Sequence, residues 1–310
     1  MTEPKATGKR GPTPHSAPLV TELLQAMQDK GHTQASVARA IGYSGSALNQ
    51  WMAGKYKGDV KGIEHAVKGF LEREVEKGIS RKIQLRFVMT TTAAKVFEAA
   101  RMCHLDGEIG VAIGPVGVGK TTDVKEYASR NSDVILVEAD LGYTARDLFR
   151  ELHKKCGFDG TGNINKMKDD IIDRLKDSGR LIIIDEAEHL PVKALDLMRR
   201  INDKAGVGIL FCGLERFMEN LRLRQADFAY LYTRIGFKVA LDSLQKSDIE
   251  SIVLDAIPES GNLWKTFDVE SHGNGRILSK LIARSLRLAE LNGVPVTTEI
   301  VHEAAKMLVR

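Results

Sequence analysis

Between residues 109 and 240, short apolar runs alternate with longer stretches that carry apolar residues at helical spacing. The runs are Ile109–Ile113, Val134–Ala139, Leu181–Asp185, Val207–Cys212 and Gly236–Ala240, each five or six residues long. Runs that are apolar almost throughout read as strands buried on both faces, and strands separated by helical stretches predict a mostly parallel α/β sheet covered by helices on both sides. From Leu244 onward the pattern is helical, over Lys246–Ala256, Gly275–Leu291 and Thr298–Leu308, with Thr298 a candidate cap for the last.

The first part of the chain has a different pattern. Residues 1–18 hold four of the eight prolines and few large apolar side chains, which predicts a disordered basic arm. Four short helices follow. Leu19–Lys30 places Leu23, Leu24 and Met27 on one side, and Thr33–Ile41 is broken by Gly42. Ser44–Met52 turns Ala47, Leu48 and Trp51 inward. After a loop over Gly54–Gly58, a fourth helix carries Ile63, Ala66, Val67, Phe70 and Leu71. The charged stretch Glu72–Lys77 reads as a linker. The predicted organisation is an arm over 1–18, a small helical domain over 19–77, an α/β core over 78–240 and a helical C-terminal subdomain over 241–310.

Composition changes this picture little. Of 310 residues, 43% are hydrophobic and 28% charged, as in an ordinary globular protein. Cys103, Cys156 and Cys212 are far apart and odd in number, which gives no metal spacing and suggests a reducing compartment. No apolar run approaches membrane-spanning length and the N-terminus lacks a signal-peptide core, so a soluble cytoplasmic protein with no membrane partner is expected. The net charge is +4, and residues 1–60 carry seven basic and four acidic side chains, most of the excess. That balance favours an anionic partner for the small domain and is equally that of a solvated surface.

The chemistry begins at Gly114-Pro115-Val116-Gly117-Val118-Gly119-Lys120-Thr121, which fits G-x-x-x-x-G-K-[ST] between a strand and a helix. Glycines let successive backbone N–H groups point at one phosphate, and the following helix adds its positive end. Lys120 reaches the β- and γ-phosphates of ATP, the Thr121 hydroxyl binds Mg²⁺, and Thr122 adjoins the same turn. The apolar strand over 181–184 then ends in Asp185-Glu186. Charge at the edge of a buried strand is costly unless paired. Beside a phosphate loop the pairing ion is Mg²⁺, held by Asp185 directly or through water, while Glu186 orients and polarises the attacking water. His189 is expected to be a packing or surface histidine.

Two resemblances extend these expectations. Thr33-Gln34, Ala38, Gly42, Ser44, Leu48, Trp51 and Gly54 resemble the helix-turn-helix of the lambda-repressor-like class. In that arrangement Ser44, Ser46, Asn49 and Gln50 face DNA, with Lys55 and Lys57 near its backbone; a helical bundle for protein contacts is the alternative. The phosphate loop and Asp185-Glu186 together resemble the AAA+ ATPases. That resemblance implies an arginine finger at Arg234, within Tyr230–Ile235, with Arg222 and Arg224 as runners-up. It also implies a nucleotide-sensing Arg276 in Gly273-Asn274-Gly275-Arg276, at the start of a lid helix. One position departs from the family. The sensor that normally follows the fourth strand is polar, and here it is Leu214, which makes no side-chain hydrogen bond. Either Glu215 substitutes or hydrolysis is slow.

The order of parts narrows the resemblance to the transposition protein B family of phage Mu. Gly54–Asp59, Arg86-Phe87-Val88, Ile182–Leu190 and Ser285–Ala289 carry it. It implies a DNA-stimulated ATPase, converting ATP to ADP and phosphate, that assembles as a homo-oligomer or helical filament on double-stranded target DNA in the host cytoplasm. It also implies presentation of that DNA to a transposase. Lys166, Lys168 and Arg174 then become candidates for phosphate contacts, although Asp169, Asp170 and Asp173 alternate with them as on a solvated face. An ATP-gated sequence-specific regulator and a secretion- or partition-type ATPase remain as alternatives.

Overall fold

The computed structural model describes residues 17–79, 85–223 and 232–309, and the chain divides into two compact units, 1–84 and 85–310. In the first unit, helices α1 (Ala17–Lys30), α2 (Gln34–Ile41), α3 (Gly45–Met52) and α4 (Val60–Ile79) enclose a core in which Leu23, Val37, Leu48, Trp51, Ile63 and Val67 are fully buried. Thr33 and Ser44, expected as first helical residues, are the caps. Their hydroxyls accept from the N–H groups of Ser36 and Ala47. The expected linker Glu72–Lys77 is helix. Glu74 is buried and satisfied by His32 at 3.1 Å and Lys30 at 3.4 Å, so α4 continues past its apolar face.

The second unit holds a five-stranded, all-parallel sheet in the order β2-β3-β4-β1-β5. Its strands are β1 (Ile109–Ile113), β2 (Val134–Glu138), β3 (Leu181–Asp185), β4 (Gly208–Gly213) and β5 (Ile235–Ala240). Side chains alternate across it. Ile182 and Ile184 join one core with helices α7 (Ala145–Lys155), α8 (Ile164–Leu175), α9 (Val192–Ala205) and α10 (Glu215–Leu223). Leu181 and Ile183 join another with α5 (Thr91–Asp106) and α6 (Lys120–Arg130). β1 sits beside β4 while the chain crosses from it to the far edge at β2. The carboxyl ends of β1, β3 and β4 thus stay open at a topological switch, where such sheets bind ligands.

Helices α11 (Lys246–Ala256), α12 (Trp264–Ser271), α13 (Gly275–Asn292) and α14 (Thr298–Lys306) form a third core around Val253, Phe267, Leu281 and Val301. The cap of α14 is Thr297, not Thr298: the Thr297 hydroxyl accepts from Ile300 N–H. Asp248 ties this subdomain to the start of α5. Its carboxylate accepts from Thr91 N–H at 2.8 Å, the Thr91 hydroxyl at 2.6 Å and Gln245 N–H at 3.0 Å. Among the described residues, no helix is long and apolar enough to cross a membrane.

Candidate functional site

The loop after β1 curls over the start of α6. Gly117 stands at φ 86° and Gly119 at φ 109°, left-handed conformations that L side chains rarely adopt. The Lys120 ammonium donates to the carbonyls of Gly114 and Pro115, each at 2.8 Å. Burial pulls its pKa down, and the charges of Glu188, Asp185 and Glu186 oppose that shift. Pro115, Val116 and Thr122 are exposed, Gly117, Gly119, Lys120 and Thr121 half-buried, and Gly114 and Val118 buried.

Asp185, at the carboxyl end of β3, is buried, and that burial raises its pKa. Hydrogen bonds from the Thr121 hydroxyl and Glu186 N–H work the other way. Its Oδ2 is buried without a hydrogen-bond partner. A carboxylate oxygen left bare beside a threonine hydroxyl is a donor set suited to Mg²⁺ or its water shell, so the residues fit the ion. A second bare carboxyl lies in the first turn of α6. Asp123 is pushed up to about 7 by burial, against the nearby Lys120.

Glu186 sits directly after Asp185 with φ 53° and ψ 39°, a left-handed conformation unusual for a glutamate. Such strain costs about 1–3 kcal/mol and persists where surrounding structure enforces it. The kink turns the side chain out, 46% exposed, with His189 at 3.6 Å. His189 is thus a half-buried neighbour of the acid. Glu188, which sequence reasoning passed over, is the more buried acid: its side chain is 4% exposed and its Oε2 accepts from Leu214 N–H at 3.2 Å. Its proximity to Leu214 has no signal in the sequence, because it depends on β3 and β4 being adjacent. Glu215, the expected substitute for a polar sensor, is exposed and pairs with Lys238 of β5 at 2.9 Å.

The start of α13 is docked on the phosphate loop. Asn274 donates from its side chain to Val116 O at 3.1 Å, and Arg276 N–H donates to Gly117 O at 3.2 Å. A Cβ on Gly117 would stand 2.3 Å from Asn274 Oδ1, so this contact requires glycine there. The Arg276 side chain is exposed at the same edge.

Other candidates lie apart from this cluster. Arg234 is 57% exposed and meets Asp203 of α9 at 3.5 Å. Arg222 is exposed on α10, and Arg224 and Tyr230-Leu231 lie outside the described residues. On α8, Lys166 and Arg174 are exposed, while Lys168 is 13% exposed and paired with Asp169 at 3.1 Å. Arg174 also covers the Phe158 ring at 4.9 Å. At 100° per residue Lys168 falls about 160° around the axis from Lys166, so the three cations do not form one stripe. In the first unit Ser44, Ser46, Asn49, Gln50, Lys55 and Lys57 are all exposed, and Asn49 accepts from Gln34 at 2.5 Å.

Residues 104–221 match the model of a family described as an AAA domain. The fold agrees: the ADP form of the Aeropyrum pernix ORC2 protein superposes with a TM-score of 0.58 at 16% identity, over 74% of this chain and 72% of that one. The chain contains an AAA domain and has the fold of an AAA+ P-loop module. It is similar to the Mu-like prophage FluMu DNA transposition protein B of Haemophilus influenzae, 24% identical over 86% of this chain and 95% of that protein. It is also similar to the ATP-dependent target DNA activator B of Escherichia phage Mu, 26% identical over 74% of this chain and 75% of that one. The AAA domain therefore lies within a chain that is similar to transposition protein B over most of its length.

Proposed function

We propose that this ATPase is a nucleotide-controlled switch that assembles on double-stranded target DNA and presents it to a transposase. The observation that carries the switch is the docking of α13 on the phosphate loop: Asn274 and Arg276 hold Val116 and Gly117 directly. Any group bound in that loop acts on the helical lid through these bonds, so nucleotide state and lid position are linked. The names of the relatives supply the DNA and the transposition context.

In this reading the loop from Gly114 to Thr122 cradles the phosphates, Lys120 contacts the β- and γ-phosphates, and Arg276 approaches the nucleotide from the lid. Thr121 and Asp185 hold Mg²⁺, which when bound neutralises phosphate charge and orients the γ-phosphate. Glu186, turned outward by its left-handed backbone, accepts a proton from the attacking water. Arg234 stands on the surface and completes a neighbouring subunit's site, stabilising transition-state charge only after assembly. Hydrolysis is slow alone and stimulated by DNA and by the transposase. DNA is gripped by phosphate contacts without sequence preference, from Lys166 and Arg174 on α8 and from the helix-turn-helix-type face of Ser44, Ser46, Asn49, Gln50, Lys55 and Lys57. Lys168, half-buried and paired, contributes less.

Footprinting at graded salt tests the DNA mode. Uniform protection that weakens steeply with salt supports the proposal. A discrete protected site that persists at physiological salt contradicts it in favour of a sequence-specific regulator.

A further inference from the structure

We propose that the turn between α7 and α8 is a preformed contact for the phosphate backbone of duplex DNA, with Arg146 and Lys154 of α7 as its main cations. This rests on the reading of the protein as DNA-binding and extends it beyond the cations of α8. Arg146, Arg150 and Lys154 recur at every fourth residue, so they fall within about 80° of one another around the axis of α7. The turn they flank holds three glycines with positive φ, Gly157 at 90°, Gly160 at 78° and Gly162 at 103°. Bare backbone at these positions lets cationic side chains lie against the turn. A Cβ on Gly160 would stand 2.6 Å from Lys154 Cε and 3.2 Å from Arg150 Cγ, and one on Gly162 would stand 3.4 Å from Lys166 Cδ. Arg146 donates to Gly162 O at 3.1 Å, and the Arg174 guanidinium covers the Phe158 ring.

A buried histidine holds the turn. His153 Nδ1 accepts from Gly160 N–H at 3.1 Å, its Nε2 lies 3.1 Å from Asp170, and its ring stacks on Phe158 with centroids 4.5 Å apart. These ties fix the turn before a ligand arrives, which removes ordering cost from binding. The acids of the two helices and their turn are mostly engaged locally. Asp147 pairs with Arg150, Glu151 with Lys155 and Asp169 with Lys168; Asp159 accepts from Thr161, and Asp170 faces His153. Asp173 alone has no such partner. Among the described residues, no carboxylate pairs with Arg146, Lys154, Lys166 or Arg174. A surface whose acids are satisfied and whose cations are not is complementary to a polyanion. Duplex DNA carries about one charge per 1.7 Å of its axis, dense enough to engage several cations gathered on one turn.

The test is the affinity of the full chain, with ATP, for a fluorescent random-sequence duplex at graded salt. Arg146→Ala with Lys154→Ala removes two phosphate contacts. The slope of log affinity against log salt should become shallower by about 1.8, with affinity near physiological salt at least about tenfold weaker at an unchanged melting temperature. Arg146→Lys with Lys154→Arg keeps the charges and should keep the parental slope. Lys265→Ala with Lys306→Ala removes the same charge from the helical subdomain and should leave the slope unchanged. A parental slope in the first alanine pair, an equal fall in the second pair, or a loss of affinity that tracks a fall in melting temperature overturns the proposal. If the parent binds no duplex with ATP, the DNA reading itself fails and takes the proposal with it.

Discussion

At the scale of single residues the site is built from backbone conformations as much as from side chains. Gly117 combines φ 86° with an approach of Asn274 so close that a Cβ would stand 2.3 Å from its Oδ1. Gly117→Ala is therefore expected to lower ATP affinity by at least about tenfold, 1.4 kcal/mol or more. Fluorescent-nucleotide titration checks this, and undiminished affinity would show that the lid contact is dispensable. The glycines and Lys120 were legible in the sequence because close backbone approach to phosphate restricts residue type at fixed spacing. The Asn274 contact was not, since it joins positions 158 residues apart that only the fold brings together. Glu188 was hidden for the same reason. Thr297 and Thr298 show a finer limit: either threonine caps a helix equally well on paper, and the choice is made by the chain's entry into α14.

At the scale of elements, alternating apolar strands and helical stretches located all five strands to within a residue or so. α5 escaped notice. Its buried face is made mainly of Ala93, Ala99, Ala100 and Cys103, small side chains that give weak periodicity yet let the helix lie close to the sheet. What fixes α5 to the lid is Asp248, which accepts from three donors on α5 and α11. Asp248→Ala leaves those donors unmet and is expected to cost about 2–4 kcal/mol; urea unfolding of the ATPase module measures it, and a loss below 1 kcal/mol would show that water replaces the carboxylate. In the first unit, Trp51 is fully buried at the centre of a small core. Trp51→Ala removes about 3–5 kcal/mol, close to the whole stability of so small a unit. Limited proteolysis should then digest residues 17–79 while the module from Leu85 onward persists and still binds ATP. Equal resistance of the first unit in parent and variant would contradict this.

At the scale of the whole molecule, hydrolysis is expected to need sites shared between subunits. Arg234 is exposed and pairs with Asp203 of α9. A lone surface arginine has no sequence signature, which is why only the family resemblance pointed to it. Its role predicts complementation. Lys120→Ala and Arg234→Ala should each hydrolyse ATP poorly alone. Mixed on DNA they should regain activity, because a Lys120→Ala subunit still offers Arg234 to an intact neighbouring loop; no regain would mean that Arg234 does not act across subunits. The claim on which everything else rests is that ATP drives assembly on DNA, and electron microscopy of the protein with duplex DNA tests it most directly. Continuous protein coats are expected with ATP, bare duplex without nucleotide or with Lys120→Ala, and persistent coats with Glu186→Gln after ATP is removed. Coats that form equally without ATP, or no coat under any condition, would contradict it.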